Sequence, residues 1–408
     1  MRDRLRPALA AVLAALAIGG ATGAASASSS SRPLSQRLAR ALAVPHVSAS
    51  SSAALAIDLT TGNVIFARNG SRSLVPASNE KLTVTYAALS ELGPDYRIET
   101  DVLGSGSPSG PIWTGPLILQ GHGDPTLSRS DLTWLARQIR TAGIRKVAGP
   151  ILGDESYFDA RRTGPGWKPS FYINESPPLS ALTVDRTWFR GRHWPAPAFA
   201  AASLFREALR RNGVAVTGGV GVGKAPTDAS TLAQVESPPL EQIVRFMDRE
   251  SDNFTAELLL KQIGAYNAVA GSSAAGAAEV RRDLAAAGVP LAGVRIVDGS
   301  GLSPYDRLTA RAVVGILKAA WSDPVIQPAF VSALAVAGRS GTLKDRLRYP
   351  PARGAVAAKT GTTSLASALS GFVRERYVFS VLQNGHPVSY WWARRAQDRF
   401  VTVLAGSS

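Results

Sequence analysis

Three short clusters in the 408-residue chain carry side chains able to do chemistry together. In Ser78-Asn79-Glu80-Lys81 the serine and lysine stand three apart. On a helix that spacing puts them on one face, so the amine reaches the hydroxyl. A serine hydroxyl becomes a useful nucleophile only beside a base. Lysine serves as that base only if burial or a neighbouring cation lowers its pKa, and a helix N-terminus favours the alkoxide. Of the eight lysines, Lys81 alone has serine three positions before it. The second cluster, Ser251-Asp252-Asn253, offers a hydroxyl and an amide at the start of a helical pattern. The third, Lys359-Thr360-Gly361-Thr362, sits on a strand pattern, where glycine permits close approach of a ligand backbone and lysine pairs with a substrate carboxylate. Each has a plainer reading: a capping serine before a surface lysine, a cluster of helix caps, and a strand end running into a turn.

The surrounding pattern supplies the elements these residues need. Residues 53–69 read as a β-hairpin around Thr60-Thr61-Gly62. A helical pattern runs from Ser78 to about Leu92 and is closed by Gly93-Pro94, with Pro76 where a helix start tolerates it. Short strands follow near 98–103, 117–120 and 147–152, with a helix near 132–142. Residues 161–198 are irregular, 199–211 form an amphipathic helix ending at Asn212-Gly213, and 214–222 read as one glycine-rich strand. Helices then dominate, near 240–247, 253–263, 274–287, 309–321 and 328–335. The chain closes with strands at 355–359, 367–373 and 377–384 and a helix at 391–404. A β start and a β end bracketing helices imply one antiparallel sheet built from both chain ends, with helices packed on it.

Composition narrows the class. At 45% hydrophobic and 18% charged, the chain is globular. The net charge of +15 comes mostly from dispersed arginines. It suits a GC-rich coding sequence or an anionic neighbour such as a wall polymer better than nucleic acid. Cysteine is absent, which removes disulfides, thiolate metal sites and a cysteine nucleophile. His46, His122, His193 and His386 show no metal spacing, so neither metal nor cofactor is expected. Arg2, Arg4 and Arg6, the apolar stretch Pro7–Ala17 and Ala25-Ser26-Ala27 read as a cleaved signal peptide over residues 1–27. The expected location is therefore the periplasm, cell wall or extracellular space, with no transmembrane segment in the mature chain.

Taken in order, S-x-x-K, S-D-N and K-T-G resemble the signature set of serine β-lactamases and penicillin-binding proteins. PASNEKL at 76–82, GHGDPTLS at 121–128, ESDNFTAELLL at 250–260, DGSGLS at 298–303, SGTLKDR at 340–346 and KTGTTSLASALSGFV at 359–373 sharpen this. They resemble the D-alanyl-D-alanine carboxypeptidase/endopeptidase (DacB) family of class C penicillin-binding proteins over nearly the whole mature chain. The resemblance implies an α/β (α+β) transpeptidase/β-lactamase-like domain from 28–100 and 236–408, interrupted by a smaller strand-rich domain at 101–235. It implies that Ser78 is acylated by the penultimate D-Ala of peptidoglycan stem peptides and is trapped by β-lactams. Lys81 would be the base, Ser251 a proton relay and Asn253 an orienting amide. Lys359 would lower the Lys81 pKa and, with Thr360, Gly361 and Thr362, receive the substrate carboxylate; the Ser78 and Thr362 N–H groups would form the oxyanion hole. The segment between the first two motifs is shorter than in relatives with two inserted domains, so one insert is expected, with the shortfall at 184–195. The nearest rival, a class A β-lactamase, needs a deacylating glutamate after the second motif, and 281–299 contain none, only Asp283 and Asp298. The other rival is a non-catalytic secreted wall-binding protein.

Overall fold

A computed structural model describes residues 33–266 and 271–407, and residues 34 onward form one compact unit. The leader expected at 1–27 lies outside the described residues. In chain order, α1 (Leu34–Ala41), β1 (Ser52–Asp58), β2 (Val64–Arg68) and α2 (Lys81–Leu92) come first. Then follow β3 (Glu99–Gly104), β4 (Ser107–Ser109), β5 (Ile112–Thr114), β6 (Leu117–Gly121), α3 (Arg129–Thr141), β7 (Lys146–Ala148) and β8 (Ile151–Asp154). Next are β9 (Trp188–Phe189), β10 (Arg192–His193), α4 (Pro197–Arg211), β11 (Ala215–Val216), β12 (Val220–Val222) and β13 (Ser230–Glu236). The last part holds α5 (Leu240–Glu250), α6 (Asn253–Tyr266), α7 (Ser273–Ala286), α8 (Ala310–Ser322), α9 (Gln327–Ala333), β14 (Ala335–Val336), β15 (Val356–Thr362), β16 (Ala366–Val373), β17 (Tyr377–Asn384) and α10 (Tyr390–Ala405).

The main sheet has the order β14-β15-β16-β17-β1-β2 and is antiparallel throughout. It joins both chain ends, as the pattern of apolar runs implied. Both faces are covered, and the period-2 alternation of a strand sorts side chains between two cores. Ala368, Phe372, Val378 and Leu382 join the core formed with α2, α5, α6 and α8. Leu369, Val373, Phe379 and Val381 join the core formed with α1 and α10. This is why β16 shows no alternation of large polar and apolar residues, only Ser367 and Ser370 among its apolar side chains: all eight of its residues are buried.

Residues 99–236 make two further sheets, in the orders β12-β8-β6-β3-β13 and β11-β7-β5-β4, with α3 and α4 sharing their core. Here the sequence expectation needs correction. The single strand expected at 147–152 is two, β7 and β8, in different sheets. The chain crosses at Gly149-Pro150, where a Cβ on Gly149 would stand 2.1 Å from the Gly115 carbonyl oxygen. The single strand at 214–222 likewise divides into β11 and β12 around Gly218, whose Cβ would meet the Gly149 carbonyl oxygen at 2.2 Å. At 184–195 the chain makes only a short turn and the two-residue hairpin β9–β10.

Candidate active site

The serine turn is tighter than an ordinary helix start. Ala77–Glu80 form a 3₁₀ turn, and α2 begins at Lys81. In a 3₁₀ turn side chains three apart eclipse one another, so Lys81 is stacked on Ser78, with Nζ 3.1 Å from Oγ. Ala77 enters the turn at φ +48°, a left-handed value unusual for a residue with a Cβ. Asn79 fixes the turn to the sheet: its Nδ2 donates to the Lys359 carbonyl at 3.0 Å, and its Oδ1 accepts from Ser370 Oγ at 2.6 Å.

The second cluster sits at the junction of α5 and α6, with Ser251 itself left-handed at φ +60°. The capping role falls to Asp252, whose Oδ1 accepts from the Thr255 N–H at 2.8 Å. That leaves Ser251 Oγ to accept from Lys359 Nζ at 2.8 Å. Asn253 Oδ1 accepts from Lys81 Nζ at 2.8 Å, while Asn253 Nδ2 donates to the Glu175 carbonyl at 3.1 Å. Lys359 Nζ also donates to the Thr360 carbonyl at 2.9 Å, and Thr360 Oγ1 to Thr342 Oγ1 at 2.8 Å. Thr362 is exposed at the end of β15. Gly361 lies against the serine turn: a Cβ there would stand 3.0 Å from the Pro76 carbonyl oxygen and 3.1 Å from the Ser78 nitrogen. The chain's own backbone thus already makes a close approach that favours glycine here.

The structure adds a partner that the motifs do not contain. Lys81 Nζ donates to the Ser300 carbonyl at 2.7 Å. The loop carrying that carbonyl is clamped from below by carboxyl groups. Glu257 Oε1 accepts from the Gly299 and Ser300 N–H groups, both at 2.9 Å. Asp298 accepts from the N–H groups of Gly301 and Ser303 at 2.7 and 2.8 Å, and from Trp167 Nε1 at 2.7 Å. Asp306 Oδ1 accepts from Val297 N at 2.7 Å. Asp298 and Glu257 lie in the segments DGSGLS and ESDNFTAELLL, but neither these nor Asp306 was given a role from the sequence. The available signal was Asn253, Glu257 and Lys261 at i, i+4 and i+8, a polar line on a largely apolar helix.

Both lysines are fully buried. Burial is the main cause that brings Lys81 down to about 8, against the opposing pull of Asp298, Asp252, Asp248 and Glu257. Burial, then the charge of Lys81, brings Lys359 down to about 7. The resemblance credits Lys359 with lowering the Lys81 pKa; here desolvation leads for Lys81, and the like-charge effect acts on Lys359. Burial and Asp298 push Glu257 up to about 8. Burial raises Glu80, Asp306 and Asp248 as well. Away from this site, His122 and Asp124 have protein partners, the Glu99 carbonyl at 3.1 Å and the Thr126 N–H at 2.7 Å respectively.

A serine on a tight turn, stacked on a buried lysine, with a second buried lysine on the adjoining β-strand, sets this protein among the serine acyl-transfer enzymes with a transpeptidase/β-lactamase-like fold. The chain belongs to the D-Ala-D-Ala carboxypeptidase 3 (S13) family, whose model matches residues 34–197 and 187–406. It is 33% identical to a D-alanyl-D-alanine carboxypeptidase of Actinomadura sp. (strain R39), over 84% of this chain and 79% of that one. It is also 33% identical to a carboxypeptidase of Mycobacterium tuberculosis, over 85% of this chain and 78% of that one. The fold matches that of penicillin binding protein 4 from Haemophilus influenzae at a TM-score of 0.78 and 22% identity, covering 92% of this chain and 98% of that one. The family resemblance read from the motifs therefore holds. The protein is a serine-type D-Ala-D-Ala carboxypeptidase. Among the described residues no helix is long and apolar enough to cross a membrane.

Proposed function

We propose that this enzyme cleaves the terminal D-Ala-D-Ala bond of peptidoglycan stem peptides through an acyl-enzyme on Ser78, and that β-lactams trap it at that stage. The observation that carries the reading is the arrangement around Lys81 Nζ. Its three neighbours are Ser78 Oγ at 3.1 Å, Asn253 Oδ1 at 2.8 Å and the Ser300 carbonyl at 2.7 Å. The last two can only accept. A neutral amine spends its two N–H bonds on them, so its lone pair faces the Ser78 hydroxyl. Lys81 then takes the hydroxyl proton as Oγ bonds to the carbonyl carbon of the penultimate residue. A positioned base of this kind is worth about 10²–10⁴ in rate.

Ser251 Oγ, held by Lys359, relays the proton taken up by Lys81 to the departing D-Ala amine, giving up its own proton as it gains that one, and Asn253 orients both Lys81 and the substrate amide. Lys359, with Thr360 and Thr362, receives the substrate carboxylate. Gly361 keeps β15 close to the serine turn, so that the Ser78 and Thr362 N–H groups converge on the developing oxyanion; each such donor is worth about 10²–10³ in rate. Water then releases the shortened peptide and restores Ser78. Attack by Ser78 on the D-Ala–D-Ala bond of an uncross-linked stem gives carboxypeptidase action, and on a cross-linking peptide bond endopeptidase action, water hydrolysing the acyl-enzyme in both cases. We assign residues 28–100 and 236–408 to the catalytic domain and 101–235 to a single insert, the hairpin β9–β10 marking where a second would begin. The wall substrate lies outside the membrane, which fits the export signal read at 1–27. Purified enzyme should release D-Ala from a peptide ending in D-Ala-D-Ala, and Ser78→Ala should abolish release. A folded protein with no release from linear or cross-linked peptides would sink the proposal.

A further inference from the structure

The net charge of +15 is not used by the chemistry above, and the structure gathers part of it in one place. A cleft of about 1040 Å³ runs along α4 beside the hairpin β9–β10, lined by Arg129, Arg190, Arg206, Arg210, Arg211 and a single acid, Glu207. Arg129 is held by Asp185 at 3.3 Å, and Arg211 pairs with Glu207. Among the described residues no ion pair is made by Arg190, which lies over the Phe189 ring, or by Arg206 and Arg210. Some arginines elsewhere are ion-paired, as Arg162 is with Glu155, Arg186 with Asp252, Arg346 with Asp398 and Arg376 with Asp58.

We propose that this cleft binds a phosphodiester-linked polyanion of the cell wall, holding the insert to the wall while the catalytic domain works on stem peptides. The guanidinium fork matches phosphate with two parallel hydrogen bonds. Arg206 and Arg210 stand one helical turn apart on α4, Glu207 and Arg211 beside them. That spacing repeats charge along a line, as a polyol phosphate chain does, and a compact single anion would leave most of the cleft empty. The inference rests on the wall-directed reading of the function, but its test reads separately.

The experiment measures binding of full-length enzyme to linear poly(glycerol phosphate) by calorimetry at low and high salt. Vesicles of anionic phospholipid and inorganic phosphate serve as parallel arms. The triple variant Arg190→Ser/Arg206→Gln/Arg210→Gln should weaken polymer binding by about tenfold or more, and binding of the wild type should fall as salt rises. Removal of three exposed arginines outside the cleft, Arg72, Arg137 and Arg348, to Gln should leave most of the affinity. Penicillin labelling of Ser78 should be unchanged in both variants, which shows they are folded; its absence in wild type would count against the proposed function and not against the cleft. Equal loss in the two triple variants overturns the cleft as the site. Binding to vesicles or phosphate but not to the polymer overturns the polymer as the ligand.

Discussion

Acylation of Ser78 should follow a bell in pH centred at about 7.5. The proposed mechanism needs Lys81 neutral, to take the hydroxyl proton, and Lys359 charged, to meet the substrate carboxylate. Burial sets Lys81 at about 8 and Lys359 at about 7. The order is reversed from what the chemistry wants, so the working form is always a minority. At pH 7.5 about a quarter of the enzyme has Lys81 neutral and about a quarter has Lys359 charged, so at least about 6% has both, since a neutral Lys81 no longer depresses Lys359. At pH 5.5 the neutral fraction of Lys81 falls to about 0.3%, and acylation should be about 20-fold below its maximum; at pH 9.5 the loss of charge on Lys359 gives a similar drop. Without burial, a lysine at 10.5 would be neutral in only about 0.03% of molecules at pH 7. Desolvation is therefore worth about 300-fold in available base. The assay is the second-order rate constant for acylation by a fluorescent penicillin, taken across this range. Lys359→Met should lower the rate throughout and erase the alkaline fall while keeping the acid limb. A profile flat from pH 6 to 9 would refute Lys81 as the base, and a rise with no alkaline fall would refute the requirement for charged Lys359.

Other predictions follow from the same geometry. Gly361→Val would force a side chain against Pro76 O and Ser78 N, 3.0 and 3.1 Å from the first added carbon; acylation should drop by about 100-fold, the scale of a displaced oxyanion donor, and unchanged kinetics would contradict the assigned contact. Glu257→Leu removes the acceptor for the Gly299 and Ser300 N–H groups. It should slow D-Ala release by tenfold or more in kcat with little change in KM, while Glu257→Gln, which keeps the acceptor, should recover most of the rate. The raised pKa of Glu257 means the folded state binds a proton that the unfolded state gives up above pH 4.5, so this group's stabilising effect is present below that value and is lost as pH rises towards about 8. The Tm of wild type should thus decline more steeply from pH 5 to 8 than that of Glu257→Gln; equal slopes would show that the group is not buried as a carboxylic acid. Phe372→Ala, which empties a fully packed position between β16 and α8, should cost about 3–5 kcal/mol of stability.

The three motifs were legible because each depends on local spacing. Ser78 and Lys81 are three apart, Asp252 and Asn253 open a helix, and Lys359 lies on a strand whose apolar neighbours declare it. The main sheet was legible because both faces of β16 and β17 are covered, which leaves mostly apolar segments rich in strand-forming residues and broken only by small or terminal polar ones. What stayed hidden depends on contacts distant in sequence. Nothing about Ala77 announces a left-handed residue, since alanine has no preference for that region. The clamp by Glu257 and Asp298 joins α6 to a loop some forty residues away, and only its partner N–H groups explain a carboxyl in an apolar helix. The strands β7, β8, β11 and β12 are two to four residues long and change sheets at glycines, too short for a period-2 pattern to register.

The most direct test of the account is the intact mass of the protein after exposure to penicillin, followed by mapping of the modified peptide. The account predicts one stable adduct, carried on Ser78 in the segment around Pro76–Leu82 and absent from Ser78→Ala. An adduct on another residue, or the same adduct in Ser78→Ala, would contradict the assignment of the nucleophile. Rapid loss of the adduct with hydrolysed penicillin in solution would mark the protein as a β-lactamase instead.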